Sequence, residues 1–430
     1  MKIVRFSLIL IGICISLFLM GCSSYNAVSV SNVEGAELIN TSWNQRDHES
    51  IAVASSANDF AFRISAALVG EIGHENFVVS PYSIWMPLAA LVNVTDEQYK
   101  LALLDALGAG GINPEDINRA ASRMLFDLTN ESARRAWMME EDHLQIANAI
   151  FVDNNVTLCK EFAQTFMDFY RGTLMNVDFR SPRAIVAVNQ WANDNTNGLI
   201  TEIVQQFDPY TVAAIANAIY FSDQWSVQFD PSKTERDIFY SPVGESFAYY
   251  MQLEKPNFTY FEDERIQVVD LSFATGGGMK IILPKDGDAV GFLSTMTNEY
   301  FERIQRDSVI AEGRLLLPRF SINNTVLGLK DVLIAMGVPL FDELAAPIVG
   351  FIEEDYRLYL SDAIQVSMIE VDEKGATAAA VTKLTIALRG LPYPTTTFEM
   401  ICNTPFVFIL HRPTVDGGRQ VLFTGVVNQP

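Results

Sequence analysis

The 430-residue chain is expected to fold as one α+β body, and three observations carry that expectation. Apolar residues recur at helical spacing through the first half of the chain. Past residue 210 the pattern turns strand-like. No internal repeat and no obvious linker interrupts residues 58–430, so both signals belong to a single domain.

Taken in order, residues 1–21 read as an address. Lys2 and Arg5 form a basic start, and an apolar run follows from Phe6 to Met20. That run is shorter than the roughly 20 residues a helix needs to cross a bilayer, but it suits the apolar core of an export signal. It ends in Leu19-Met20-Gly21-Cys22, which resembles the lipobox of bacterial lipoproteins. The resemblance implies that Cys22 is lipidated and becomes the new N-terminus, so the mature chain is expected on the cell envelope, at the outer membrane. Residues 22–57 are rich in Ser, Asn and Ala and read as the lipidated cysteine and a flexible tether.

The globular body is expected from residue 58. Phe60, Ile64, Ala67 and Leu68 share one helical face. Trp85, Leu88, Leu91 and Val92 do so after Pro81, and Leu101, Leu104 and Leu107 mark a further helix. Strands are expected over Ile266–Leu271, Met279–Leu283, Leu315–Ile322, Phe406–Leu410 and Val421–Val427. Gly276-Gly277-Gly278 precedes a β-rich run rather than a helix, which makes it a hairpin turn and not a phosphate cradle.

Composition narrows the function. The chain is 49% hydrophobic and 19% charged, a folded composition, with a formal net charge of −22. So acidic a protein lacks the clustered Lys and Arg that nucleic acid or other polyanions require. Of four cysteines, Cys14 lies in the address and Cys22 at its end. Cys159 and Cys402 are too few and too far apart for a disulfide framework or a metal site. Only four histidines occur (His48, His74, His143 and His411), with no metal-binding spacing, no nucleophile elbow and no phosphate loop. No enzyme activity, metal or cofactor is expected.

Residues 373–398 are unusual because their local preferences conflict. The Ala-rich start favours helix, Val381–Leu388 alternates like a strand, and Pro392 and Pro394 forbid regular structure beyond. Sorted by a period of two, one face carries Ala376, Ala378, Ala380, Thr382, Leu384 and Ile386. The other carries Thr377, Ala379, Val381, Lys383, Thr385 and Ala387. The first face begins small and grows, which suits a strand sliding between close-packed neighbours; the second holds the charge and most hydroxyls. Arg389 then lies near the tip of a loop.

Six segments in order resemble the serpin family. They are Asn76–Ile84 with Ser80-Pro81 and Ser83; Val188–Trp191 with Thr196–Ile200; and Asn217–Phe221 followed by Trp225. Leu317-Pro318-Arg319-Phe320, Glu373–Ala380 and Asn403–Phe408 complete the set. The resemblance implies three β-sheets, eight or nine helices and an exposed reactive loop at about residues 373–398. It also implies suicide inhibition of proteases, in which the cut loop inserts into the central sheet and traps the acyl-enzyme.

Counting from Glu373 by the family's usual spacing sets the scissile bond at Arg389-Gly390, with Leu388 and Lys383 as alternatives. The resemblance assigns a hinge to Glu373, Gly375, Ala376, Ala378, Ala380 and Thr382, and a sheet-opening network to Ser80, Ser83, Asn217 and Gln365. Gln365 stands where the family expects His. Trp225, Arg319 and Glu373 fall at the top of the sheet, Arg319 and Glu373 as an ion pair. The small inward residues favour a working inhibitor. The expected partners are trypsin-like serine proteases and Arg-directed cysteine proteases, with the membrane held through Cys22, and the protein is expected to be a monomer. The competing reading is a serpin-fold binding module whose loop is cut without trapping the enzyme.

Overall fold

The computed structural model describes residues 3–13, 48–136, 144–208, 210–326, 329–376, 396–414 and 417–430. The chain begins with β1 (Ile3–Ile13), α1 (His48–Val69), β2 (Phe77–Val79), α2 (Pro81–Leu91), α3 (Glu97–Ala106) and α4 (Pro114–Ala136). There follow β3 (Leu144–Asp153), α5 (Lys160–Tyr170), β4 (Gly172–Val177), α6 (Pro182–Asp194), β5 (Thr211–Phe221) and β6 (Asp223–Gln224). The next stretch is strand-rich: β7 (Glu235–Ser241), β8 (Gly244–Glu262), β9 (Ile266–Ser272), β10 (Gly278–Pro284), α7 (Ala289–Ser294), α8 (Asn298–Asp307), β11 (Val309–Pro318) and β12 (Phe320–Val326). The last part holds α9 (Leu329–Ala335), β13 (Arg357–Val371), β14 (Gly375–Ala376), β15 (Thr397–Ile401), β16 (Phe406–Pro413) and β17 (Arg419–Val427).

The central sheet runs β4–β3–β5–β1–β13, with β12 on the far side of β13. At its upper end β14 lies between β13 and β6. A second hydrogen-bonded network runs β15–β11–β8–β9–β10–β16–β17–β2, with β7 also on β8. The 19-residue β8 serves two sheets: its first part pairs with β7, and only Thr259–Glu262 pairs with β9. Three sheets therefore share one chain, with nine α-helices among the described residues.

Helix α2 starts where it does because Ser80 caps it, its hydroxyl accepting from the Ser83 backbone at 3.4 Å, and Pro81 presets the first turn. Every residue of α2 is buried. It lies beneath the central sheet against β5 and β17 and forms part of one continuous core. Such a helix, apolar on all sides, is the expected centre of a large domain.

Several boundaries differ from the sequence-based expectation. The body begins with α1 at His48, inside the segment read as tether, and Val53 and Ala57 are already buried. The run Leu315–Ile322 is two strands, β11 and β12, separated at Arg319, whose side chain is claimed by the hinge. Strands β2, β3 and β4 precede residue 210 and were not anticipated. The Gly276-Gly277 turn does join β9 to β10, both glycines at positive φ. Cys159 and Cys402 are free thiols, the latter buried. Cys22 lies outside the described residues.

The largest difference is at the N-terminus. Ile3–Ile13, read as part of an export signal, forms a strand paired in parallel with both β5 and β13. A largely apolar run free of acid suits a strand between parallel neighbours as well as an export signal, so both readings draw on one composition.

Candidate functional site: the hinge and the strand slot of the central sheet

The turn after β13 is built by Asp372. Its carboxylate accepts from the backbone N–H groups of Lys374 at 2.8 Å and Gly375 at 3.1 Å, an Asx-type turn that reverses the chain into β14. Ala376 then pairs antiparallel with Val371 on one side and with Asp223 on the other. Gly375 is required here by space: a Cβ on it would sit 2.1 Å from the Asp223 carbonyl oxygen and 2.7 Å from Gln224 Cα. The hinge is thus already seated by its first two residues.

Trp225 and Glu373 hold this seat. The Trp225 backbone N–H donates to Lys374 O at 2.8 Å, and its indole N–H donates to Asp372 O at 2.9 Å. The indole stacks on Phe273 with centroids 4.9 Å apart. Arg319 Nε donates to both Glu373 carboxylate oxygens at 2.9 Å, so the expected ion pair is formed. Thr234 Oγ1 donates to the same carboxylate, and the Phe229 backbone N–H donates to the Glu373 carbonyl at 3.0 Å. Burial alone would push the Glu373 carboxyl up, but Arg319 and Thr234 outweigh it and hold it below its ordinary range. The same contact raises the Arg319 guanidinium.

Below the hinge, the strands β5 and β13 stand one strand apart. Leu10 is the register partner of both Asn217 and Gln365, and Gly12 pairs with Ser367. Of the expected network, Gln365, Ser80 and Ser83 are together. Gln365 Oε1 accepts from the Ser80 backbone at 3.2 Å, Gln365 Nε2 donates to Ser80 O at 2.8 Å, and the two serine hydroxyls lie 3.0 Å apart. A glutamine does both jobs because its amide donates and accepts. Asn217 is not joined to them. Its Nδ2 donates to Asn148 Oδ1 at 2.7 Å, and neither its Oδ1 nor Ser367 Oγ has a partner among the described residues. The strand between β5 and β13 is what separates Asn217 from Gln365.

Sequence reasoning missed Asn148, which continues this network by donating to Tyr170 O at 2.7 Å. It also missed the buried anchor behind β6. There Arg412 Nη2 donates to Asp223 at 3.0 Å, Arg412 Nη1 donates to Thr275 at 2.8 Å, and Thr275 donates to Asp223 in turn. Thr234, Asp372 and this triad lie far apart in sequence, and no local spacing signals them. Ala378, Ala380, Thr382, Arg389 and Gly390 fall in residues 377–395, outside the described residues.

What the arrangement can do is mechanical. No cluster of residues that could hold a metal ion occurs among the described residues. The arrangement offers a strand-wide slot, a turn that feeds a second strand into its upper end, and an ion pair fixing that turn.

Comparison with known proteins agrees. The profile of the family described as Serpin (serine protease inhibitor) matches residues 55–430. The antitrypsin of Bombyx mori is 29% identical over 383 residues, covering 87% of this chain and 93% of its own. Among solved structures, the thermophilic serpin tengpin in its native state gives a TM-score of 0.74 at 24% identity, covering 90% of this chain and 96% of its own. Human thyroxine-binding globulin, crystallised with its hormone, gives 0.74 at 23%, covering 89% and 99%.

Proposed function

The chain belongs to the serpin family, a family of serine protease inhibitors, and from that premise we propose that it traps proteases of trypsin-like specificity by inserting its cut loop between β5 and β13. The observation that carries this reading is the register at the hinge. Val371 opposite Ala376 sets the register that an inserted strand would continue, with Ala378 then opposite Ile369, Ala380 opposite Ser367, Thr382 opposite Gln365 and Leu384 opposite Ala363. All four of these β13 residues face inward and are buried. In that inserted strand the face that begins small would meet the closely packed side of the sheet, and the face bearing Lys383 would meet the half-buried side formed by Ile364, Val366 and Met368. No acid or proline interrupts the inserting set.

In this mechanism the target acylates itself on the loop, and the freed strand pairs with β5 and β13 along its length. Backbone pairing and burial of the apolar set drive the transition, and the metastable starting fold is a case of kinetic stability. Arg389 as the residue before the cut selects enzymes whose specificity pocket carries a carboxylate, which it meets through paired N–H donors. Cysteine proteases with an acidic pocket are targets on the same chemistry.

The leader and the loop claim the same rows, since Leu8, Leu10 and Gly12 now occupy positions opposite Ala363, Gln365 and Ser367. The active form we propose is the chain starting at Cys22, tethered by lipid to the envelope as a monomer. This part of the reading rests on Lys2, Arg5, the run Phe6–Met20 and Cys22. Metabolic labelling with palmitate that survives in the wild type and vanishes in Cys22→Ser is the expected result.

The trap itself is tested by mixing residues 23–430 with trypsin on denaturing gels. The expected product is an SDS-stable complex plus a released peptide beginning at Gly390. Complete cleavage with trypsin, elastase and papain all remaining active would overturn the inhibitory reading in favour of a binding module.

A further inference from the structure

The upper wall of the slot is tied to the second sheet rather than to the strand it continues. Strand β5 keeps its ladder with β3 as far as Phe221, and Ser222 interrupts the strand before β6 begins. Beyond that break β6 pairs in a ladder only with β14 among the described residues. Further bonds run from it to the turn between β9 and β10. The Ala274 backbone N–H donates to Gln224 O at 2.7 Å, and the Ser226 N–H donates to Ser272 O at 2.9 Å. Trp225 adds an antiparallel bridge to Phe273.

Arg412 on β16 locks this arrangement. Arg412 and Asp223 are each 1% exposed, and the guanidinium reaches both sides of the break. It lies 5.1 Å from the Phe221 ring centroid, at the end of β5. On the other side it donates to the Asp223 carboxylate, to Thr275 Oγ1 and to Gly276 O. The same carboxylate accepts from the backbone N–H groups of Gln224 at 2.9 Å and Thr275 at 3.4 Å. Two charges withdrawn from water gain little net stability from each other, so what the pair fixes is position. Position matters here, because Asp223 is the register partner of Ala376 and its carbonyl oxygen limits the room at Gly375.

The two ends of the slot are therefore supported differently. Below the break, β5 is carried by β3 and can approach β13 or retreat as a strand leaves or enters. Above it, β6 stays with the β9–β10 turn whatever the slot holds.

We propose that Arg412 is a positioning residue for loop insertion. Acting through Asp223, it holds β6 as a fixed post, and β5 swings about the break at Ser222 when the cut loop enters. The proposal rests on the inhibitory reading above and deepens it by naming what aligns the first rows of the new strand. A post that drifts leaves the acyl-enzyme open to water for longer, and more inhibitor is cut for each enzyme held. The attack on the loop is unaffected, since that step precedes any strand movement.

The test measures two quantities for residues 23–430 with trypsin: the rate at which the loop is attacked, and the number of inhibitor molecules consumed per enzyme trapped. One variant is Arg412→Met. A second joins Arg412→Met to Asp223→Asn, which removes both charges and leaves no carboxylate stranded. In each, the attack rate is expected within about twofold of wild type, and the number consumed to rise about threefold or more. Leu103→Ala, a cavity variant in the buried face of α3, controls for lost stability and should leave that number unchanged. A number unchanged in both post variants, or raised as much by Leu103→Ala, would overturn the positioning role while leaving the inhibitor intact. Hydrogen exchange on wild type decides the matter should neither post variant fold. Amides of residues 223–226 should exchange within about threefold of the same rate before and after loop cleavage, while those of β5 slow about tenfold or more. Slowing of β6 together with β5 would overturn the post. Absence of any complex between wild type and trypsin, elastase or papain would instead remove the inhibitory reading on which the proposal stands.

Discussion

Glu373 is nearly buried, with its side chain 6% exposed, whereas its partner Arg319 is half in solvent at 46%. The asymmetry matters, because removing the cation strands a carboxylate away from water, and removing the carboxylate only frees a surface cation. With solvent screening on the arginine side, the pair is worth about 1–2 kcal/mol. Glu373→Lys sets two cations together at the hinge and loosens the turn. More latent or polymeric protein is expected after mild heating, seen on native gels, and no increase would remove the pair from any restraining role. A second residue-scale prediction concerns Thr382. In an inserted strand its row would be the one Leu10 now fills, between Gln365 on β13 and Asn217 on β5. The Asn217 carbonyl oxygen has no partner among the described residues. A threonine hydroxyl arriving there supplies one, so Thr382→Val leaves a buried polar group unmatched at a cost of about 1–3 kcal/mol. The cleaved form of that variant is expected to melt several degrees lower, with the uncleaved form unchanged.

At the scale of elements, the slot between β5 and β13 has room for one strand, and two segments of the chain fit it in opposite directions. The leader pairs in parallel. The hinge enters antiparallel to β13. Full chain retaining residues 1–21 should therefore be cut by trypsin without forming the SDS-stable complex, and the chain starting after Cys22 should form it. If both trap equally well, the leader does not hold the slot in solution. Much at this scale was legible beforehand. Strands β9, β10, β16 and β17 were marked by β-rich runs, and α2 by the Ser80-Pro81 start. Of the face Ala376, Ala378, Ala380 and Thr382 read from alternation, Ala376 lies among the described residues, paired with Val371. Strand β3 was missed because both its neighbours are strands and its apolar run resembles a buried helix segment. The Arg319–Glu373 contact was expected and is formed, but the strand break at Arg319 was hidden, since nothing in Leu315–Ile322 shows that one side chain belongs to a turn 54 residues away. The partners Asn148, Thr234 and the Asp223–Thr275–Arg412 triad are long-range consequences of topology, which local spacing does not encode.

At the scale of the molecule, acid acts in two directions. Protonating carboxylates relieves the self-repulsion of a chain at −22 and so favours compactness. The buried cluster of His411, Asp270 and Lys280 opposes this. Lys280 Nζ donates to Asp270 at 2.6 Å, and His411 Nε2 lies 3.1 Å from it. Burial lowers His411 from its ordinary 6.5 against the pull of Asp270, with Lys280 and Arg419 adding to the lowering. The unfolded chain takes up this proton before the folded one, so its contribution to stability is complete above about pH 6.5 and is lost as pH falls. Melting temperatures from pH 8 to pH 5 should decline more steeply in wild type than in His411→Gln; parallel curves would exclude the histidine. The top of the central sheet has a further consequence, one of timing. Starting a new strand is the slow part of adding it, because the first contacts fix backbone freedom before neighbouring rows contribute. Gly375 and Ala376 have already crossed that step in the uncut loop. After cleavage only propagation remains, as in a zip whose slider is already threaded, and the race against hydrolysis of the acyl bond begins with the inhibitor ahead.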